Sequence, residues 1–499
     1  MISNELPVLP TTFNKSKSTT CKSFKIHSKE YTLNTGLFVN NVFVQSRSGR
    51  TFESVNPSTG VPIVQVSEAD AADVDDAVHA ASIAFKSWKK VPPTERGRLL
   101  FKLADLMERD QDVLSEIESI DNGKVVSVSS SVDIPYAIDC IRYYAGWANK
   151  IHGKTMDVNP NFQTFTRLEP FGVVGQIIPW NFPLLMLAWK WGPALATGNT
   201  IVMKTSEKTP LTALKMCQLV VEAGFPPGVI NVLSGFGPTA GHALAMHMNV
   251  SKIAFTGSTA VGRKILEASS HSNLKKVSLE LGGKSPNIIF ADADLDAAVK
   301  WAAIGIFFNH GQVCTAGSRV FVQEEIYDAF VQKFKEQTAA IKVGDPMLSE
   351  SEHGPLVDQI QFDRVMGFIK QGADSGATCE VGGTRLGSEG FFVAPTLFTN
   401  VTDDMAIARE EIFGPVVVAL KFKTVEEVIE RANNTTYGLA AAVHTNNLKL
   451  ANKVTNELAA GTVWVNCYNT FFHQMPFGGF KVLFDFIKQL NSLGKWTRP

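Results

Sequence analysis

What the chain lacks is informative. It has six cysteines in 499 residues, at 21, 140, 217, 314, 379 and 467, and none forms a C-x-x-C pair. That spacing excludes a disulfide framework and a thiolate zinc site, and it suits a reducing compartment. No run of like charge occurs, and the formal net charge is −1 with a pI near 6.8. The chain therefore carries no electrostatic footprint for nucleic acid and no charged binding tail. There is no short-period repeat and no low-complexity segment. Arginine is missing from the first 46 residues, where five lysines and only Glu5 as an acid occur before residue 30. Transit peptides are rich in arginine, so residues 1–35 read as a flexible arm of a cytoplasmic protein, with the mitochondrial matrix as the alternative.

One apolar stretch invites a membrane reading. "PFGVVGQIIPWNFPLLMLAW" (170–189) has no charge over about the length that spans a bilayer. Pro179 and Pro183 would break a spanning helix, so a buried strand, a loop and a helix start are expected instead.

With 45% hydrophobic residues the chain can bury large cores in two or three domains. "ADVDDAVHAASIAFKSW" places Val74, Val78, Ala81, Phe85 and Trp88 at helical spacing. From residue 171 strand-like runs alternate with helical patterns: "FGVVGQIIPW", "NTIVMK", "VINVLSG" and "KIAFTGS". A second series follows: "PNIIFADAD", "SRVFVQ", "VVVALKF", "LAAAVHT" and "GTVWVN". Two such series predict an α/β protein with two mostly parallel sheets and a cleft between them.

Several short stretches could carry chemistry. "KIAFTGSTAVGRKI" (252–265) is a strand, a glycine turn and a helix start, where free N–H groups favour phosphate oxygens. It approximates G-x-G-x-x-G with Thr259 in the middle position. "VMKTSEKTP" (202–210) sets Lys204 and Glu207 just past a strand end, where an acid can accept from a ribose diol and disfavours a 2′-phosphate. In "SLELGGKSP", Glu280 lies between Leu279 and Leu281; it is paired, or faces solvent on an edge, or lines a cleft. Burial would raise its pKa toward that of a general base. In "PWNFP", Asn181 sits between two prolines that stiffen the backbone, and a rigid amide can donate to a developing oxyanion. "GQVCTAGSR" offers Cys314 where the chain leaves an apolar segment, as packing material or as a nucleophile.

The order of these motifs is more specific than any one of them. "PWNFP", "MKTSEKTP", "GFGPTAG", "FTGSTAVG", "LELGGKSP", "GQVCTAGSR", "EEIFGPV" and "PFGGFK" follow one another as in NAD(P)-dependent aldehyde dehydrogenases. The resemblance covers residues 36–481 and is nearest to the broad-specificity cytosolic and mitochondrial class. It implies a Rossmann-type dinucleotide domain (36–151 and 171–282), an oligomerisation hairpin (152–170) and an α/β catalytic domain (283–481).

It also implies roles. Cys314 attacks the aldehyde, giving a thiohemiacetal and, after hydride transfer, a thioester. Asn181 and the Cys314 N–H hold the oxyanion, and Glu280 activates the water that releases the carboxylic acid. An ordinary thiol is only about 3% ionised at pH 7, so help from Lys190 and Glu280 is expected. For the cofactor, NAD with NADP as the alternative, the resemblance points to Ile177, Trp180, Lys204, Glu207, Gly237, Gly257, Ser258, Gly262, Glu411 and Phe413. Phe182, Met186, Trp189, Phe471 and Phe477 would line the tunnel for a small aldehyde. No metal, nucleic acid or membrane is implied. Two other readings are a CoA-acylating semialdehyde dehydrogenase, which Glu280 speaks against, and a folded but inactive protein.

The resemblance ends at Lys481. The family continues with a Ser-Gly-x-Gly-Arg-Glu turn, a helix and a terminal strand, whereas this chain reads "VLFDFIKQLNSLGKWTRP" over 482–499. The expectation is a homo-oligomer weakened by loss of the strand that would complete the hairpin sheet. Phe484, Ile487, Leu490 and Leu493, at near-helical spacing, would cover part of the gap or leave an apolar patch.

Overall fold

The computed structural model describes residues 20–483 and 497–498. The apolar runs read from the sequence become two seven-stranded sheets. In the first, the spatial order is Lys276–Glu280, Lys252–Thr256, Val173–Ile177, Thr200–Lys204, Ile230–Leu233, then the antiparallel pair Leu37–Val39 and Val42–Val44. Its first five strands are parallel. The chain runs outward from Val173–Ile177 through Thr200–Lys204 to Ile230–Leu233. It then returns to place Lys252–Thr256 on the other side of Val173–Ile177. That reversal makes a switch point, and in open α/β sheets the crevice for a ligand lies there, beyond the carboxyl ends of the strands.

The second sheet has the order Thr378–Val381, Thr396–Thr399, Val416–Phe422, Arg319–Gln323, Pro286–Ile289, Ala440–His444 and Thr462–Val465, parallel except for its first strand. Strands of both sheets are buried on two faces, which is why they read as continuous apolar runs rather than alternating ones. The segment 281–285 joins the carboxyl edge of the first sheet to the amino edge of the second.

The stretch 170–189 is, as expected, a strand (Val173–Ile177), a loop and a helix, Pro183–Ala196, with Pro183 in its first turn. Among the described residues no helix is long and apolar enough to cross a membrane. Helix Ala71–Trp88 buries Val74, Val78, Ala81 and Trp88, with Ala84 rather than Phe85 completing the buried stripe; an Asp70–Asp73 capping box fixes its start.

Two expectations are corrected. The N-terminal arm is not free throughout: Cys21–Ile26 and Lys29–Asn34 form an antiparallel hairpin that buries Phe24, Ile26 and Leu33 against Ile117 and Leu211. Residues 1–19 lie outside the described residues. At the other end, Thr497–Arg498 pairs antiparallel with Glu169–Pro170, so a short terminal strand does exist. Alternating apolar positions drive the first pairing, whereas two residues of ladder carry no sequence pattern at all. Phe484, Ile487, Leu490 and Leu493 lie outside the described residues. The hairpin Thr155–Asn159 and Phe162–Phe165 stands exposed, with Met156, Val158, Phe162 and Phe165 facing solvent.

Candidate active site

Every residue singled out on the first sheet lies at a carboxyl end. Ile177, Lys204 and Glu280 are the last residues of their strands, and Asn181 follows Val173–Ile177 by four residues. Residues from the second sheet come from its amino end: Cys314 precedes Arg319–Gln323, and Glu411 and Phe413 precede Val416–Phe422. The two edges meet through short contacts. Asn181 Nδ2 donates to the Gln312 carbonyl at 2.9 Å, and Gly283 N donates to Glu411 Oε1 at 2.9 Å. The Trp180 and Phe413 rings meet edge to face at 5.2 Å.

The glycines of "LELGG" are required by this approach. A Cβ at Gly282 would collide with the Glu411 carboxylate, and one at Gly283 with the Cys314 carbonyl. Cys314 itself follows helix Leu295–Phe307 and a tight turn, Phe308–Gly311, in which Asn309 and His310 take φ of 47° and 59°. Left-handed backbone at two successive non-glycine residues costs roughly 1–3 kcal/mol each and must be held by its surroundings. Asn309 Nδ2 donates to the Asn181 carbonyl, and His310 Nε2 accepts from Gly354 N.

The cysteine is half-buried and unpaired, as are all six in the sense of disulfides. Burial pushes its thiol up to about 12, and the Glu411 and Glu280 carboxylates push the same way. The backbone N–H groups of Cys314 and Thr315 oppose this shift, so Glu280, expected to help ionisation, works against it and the main chain works for it. The Lys190 ammonium donates to Thr256 Oγ1 at 2.6 Å, so part of its hydrogen-bonding capacity goes to the end of Lys252–Thr256. Glu411 is pushed up to about 7 by burial, opposed by the Gly283 N–H and the charges of Arg364 and Lys284.

The cofactor candidates assemble around the switch point. Lys204 Nζ donates to Gly235 O at 3.0 Å and pairs with Glu207 at 3.4 Å, which ties the strand end to the loop that carries Gly237. Burial lowers the Lys204 pKa, and Glu207 opposes that shift. Ser258 caps helix Thr259–Ser270 by accepting from Val261 N, so the helix starts just past the carboxyl end of Lys252–Thr256. A Cβ at Gly257 would come within 2.5 Å of the Phe255 ring, and one at Gly262 within 2.8 Å of Leu281. The glycines thus permit a bare turn and close helix–sheet packing, which is what a pyrophosphate cradle needs. Ile177 is buried at its strand end. These residues fit a dinucleotide.

The tunnel candidates fall into two groups. Trp189, Phe477 and Phe471 form one aromatic cluster, with ring separations of 5.2 and 5.6 Å. Phe182 stacks on Phe308 at 6.0 Å, and Met186 is buried in the large core cluster with it. Phe477 and Cys314 both border the core patch that contains Ile177 and Leu281.

Sequence reasoning missed the supporting residues. Phe413 has φ of 61°, held by Gln361 Nε2, which donates to both the Ile412 and Phe413 carbonyls. Arg364 donates to the Glu411 carbonyl. Lys124 and Asn309 reach the Asn181 carbonyl from elsewhere in the fold. Gln361 and Arg364 carry no local signal; the run of buried polar side chains in "SEIESIDNGK" was the one available hint for Lys124.

Comparison with known proteins decides the class. Residues 43–482 match the model of the aldehyde dehydrogenase family. The chain belongs to that family. This aldehyde dehydrogenase is 59% identical over 453 residues to the aldehyde dehydrogenase of Alternaria alternata, covering 91% of each chain. It is 56% identical over 449 residues to the human mitochondrial aldehyde dehydrogenase, covering 89% of this chain and 87% of that one. An NAD+ complex of aldehyde dehydrogenase from Bacillus cereus superimposes with a TM-score of 0.90 at 49% identity, covering 93% of this chain and 95% of that one. The fold is accordingly the aldehyde dehydrogenase fold, and the protein is an oxidoreductase acting on aldehydes with NAD. Neither the CoA-acylating nor the inactive reading is favoured.

Proposed function

We propose that Cys314 is the nucleophile in oxidation of a small aldehyde to its carboxylic acid, with Asn181 as oxyanion donor and Glu280 as base for deacylation. The observation that carries this is the meeting of the two sheet edges. Asn181 is bonded to the Gln312 carbonyl two residues before Cys314, and the charge of Glu280 acts on the Cys314 thiol, which supports one site shared by the three residues.

In this reading the Cys314 thiol first gives its proton to solvent water, and the thiolate sulfur then bonds to the carbonyl carbon. The second N–H of the Asn181 amide and the Cys314 backbone N–H take the oxygen that becomes anionic. NAD, when bound, supplies the hydride acceptor. Lys204, Glu207 and the turn Gly257–Ser258 hold its adenosine ribose and pyrophosphate, with Gly237 near the adenine. Glu411, Phe413 and Trp180 position the end nearest the sulfur. An acid at Glu207 suits a free ribose diol and makes NAD the preferred form over NADP. The remaining thioester is cut by water from which Glu280 removes a proton. Phe182, Met186, Trp189, Phe471 and Phe477 wall the aldehyde and exclude water.

Cys314→Ala should abolish NADH formation from acetaldehyde, a loss of at least about 10⁴-fold. Glu280→Gln should keep a first-turnover NADH burst while steady turnover falls about 10²–10⁴-fold. An unchanged steady rate in the second variant removes Glu280 from this role; equal traces in the first remove Cys314.

The exposed hairpin Thr155–Asn159/Phe162–Phe165, with its apolar side chains, is proposed as the surface on which copies of this chain pair. Phe162→Ser/Phe165→Ser should then elute smaller than wild type on size exclusion; identical elution sinks the assignment. Six unpaired cysteines fit a reducing compartment, the cytoplasm before the mitochondrial matrix.

A further inference from the structure

Behind the oxyanion loop lies a fully buried set of charges that the reaction above does not use. Lys124, Asp133 and Glu118 have no exposed surface. The Lys124 ammonium pairs with Asp133, donates to the Asn181 carbonyl at 3.0 Å and lies 4.2 Å from the Phe182 ring centroid. Glu118 accepts from Leu184 N at 3.2 Å, in the first turn of the helix that carries Met186, Trp189 and Lys190. Asp133 closes a π-helical turn, Ser129–Asp133, at the head of helix Ile134–Trp147. Such turns are uncommon and tend to serve a site.

A buried ion pair is a poor way to gain stability, because desolvation of both charges offsets their attraction, and apolar side chains of the same volume would hold as well. What an ion pair does supply is direction. Here the ammonium is aimed at a main-chain carbonyl in a loop between two prolines. Asn309 donates to the same carbonyl, and the Asn181 side chain is tied by the bond from its Nδ2 to the Gln312 carbonyl.

We propose that Lys124, oriented by Asp133, is a positioning residue that fixes the Asn181 amide where the carbonyl oxygen of the substrate becomes anionic. Two donors, Lys124 Nζ and Asn309 Nδ2, grip the Asn181 carbonyl, so the peptide plane cannot rotate. One N–H of the side-chain amide is spent on Gln312, and the other is left for substrate. Without Lys124 the loop keeps its prolines but loses its charged anchor, and a displacement of about 1 Å at such a donor costs on the order of 10² in rate. The proposal rests on Asn181 being the oxyanion donor.

The test is a double-mutant cycle in the full chain with NAD and acetaldehyde, using Lys124→Met, Asn181→Ala and both. Lys124→Met should lower kcat about 10–100-fold. KM for aldehyde and the Kd for NAD should change less than about threefold, and the same substitution should cost less than about threefold in the Asn181→Ala background. An equal loss in both backgrounds overturns the proposal and leaves the Asn181 assignment standing. If Asn181→Ala alone costs nothing, the oxyanion assignment fails, and the proposal fails with it. Should Lys124→Met not fold, Asp133→Asn, which keeps the shape and one oxygen, takes its place in the same cycle under the same criteria. Lys124→Arg, which restores a charge to the carbonyl, should recover part of kcat; no recovery alongside equal losses marks a purely structural role.

Discussion

The two edges that form the site are built differently. On the first edge, Lys204, Gly257 and Ser258 lie at or just past the end of a parallel strand, and their positions follow from a local pattern of strand, glycine turn and cap. On the nucleophile edge, Cys314 sits after a turn with two left-handed non-glycine residues, and Phe413 is itself left-handed. These conformations persist because distant groups hold them: Asn181, Gly354 and Gln361. The first edge is stable by its own secondary structure. The second is stable only in the assembled fold, so replacing a strand-end residue far from the junction, such as Lys204, should fall on cofactor affinity, and replacing a residue where the edges meet, such as Asn181, on the chemical step.

The sharpest division comes from Asn181. Asn181→Ala should lower kcat about 10²–10³-fold while the Kd for NAD stays within about twofold. A matching loss of NAD affinity would show that the two edges cannot be separated.

The cysteine gives the next largest effect. Because its thiol is pushed up to about 12 in the protein without cofactor, the thiolate is the minor form across neutral pH. The thiolate fraction then rises tenfold for each unit of pH, so the rate of alkylation by iodoacetamide should climb about a hundredfold between pH 7 and pH 9. A plateau below pH 9 would show a thiol that ionises well below that value and would overturn the neutral resting state.

Lys204 tests the other edge. Lys204→Met should raise the Kd for NAD about tenfold, the worth of a hydrogen bond from a charged donor, with little change in kcat at saturating NAD. A fall in kcat larger than the rise in Kd would erase the contrast between the edges.

Much of the fold was legible because buried parallel strands leave continuous apolar runs. All nine runs read from residue 171 onward are strands in one of the two sheets. The uncharged stretch 170–189 resolved into strand, loop and helix because proline chemistry is local. Other features left no such trace. Thr497–Arg498 pairs with Glu169–Pro170 through main chain alone, which no side-chain pattern announces. The hairpin over 21–34 is short, and its alternation was masked by a lysine-rich, polar beginning. At the site, Cys314, Glu280 and Asn181 stood out by residue type between glycines or prolines. Lys124, Gln361 and Arg364 act on main-chain carbonyls 47–57 positions away in the chain, a relation that spacing does not encode.

By itself, then, the sequence determined the two α/β layers and the glycine turns, and it singled out one sulfur, one carboxylate and one amide as candidates. Those depend on periodicity and on residue chemistry, which are local. Tertiary structure alone decided that the thiol is neutral at rest, because its pKa follows from burial and from carboxylates on other segments. It also decided what holds the amide in place, because a buried ammonium and a left-handed turn find their partners only when the sheets have met.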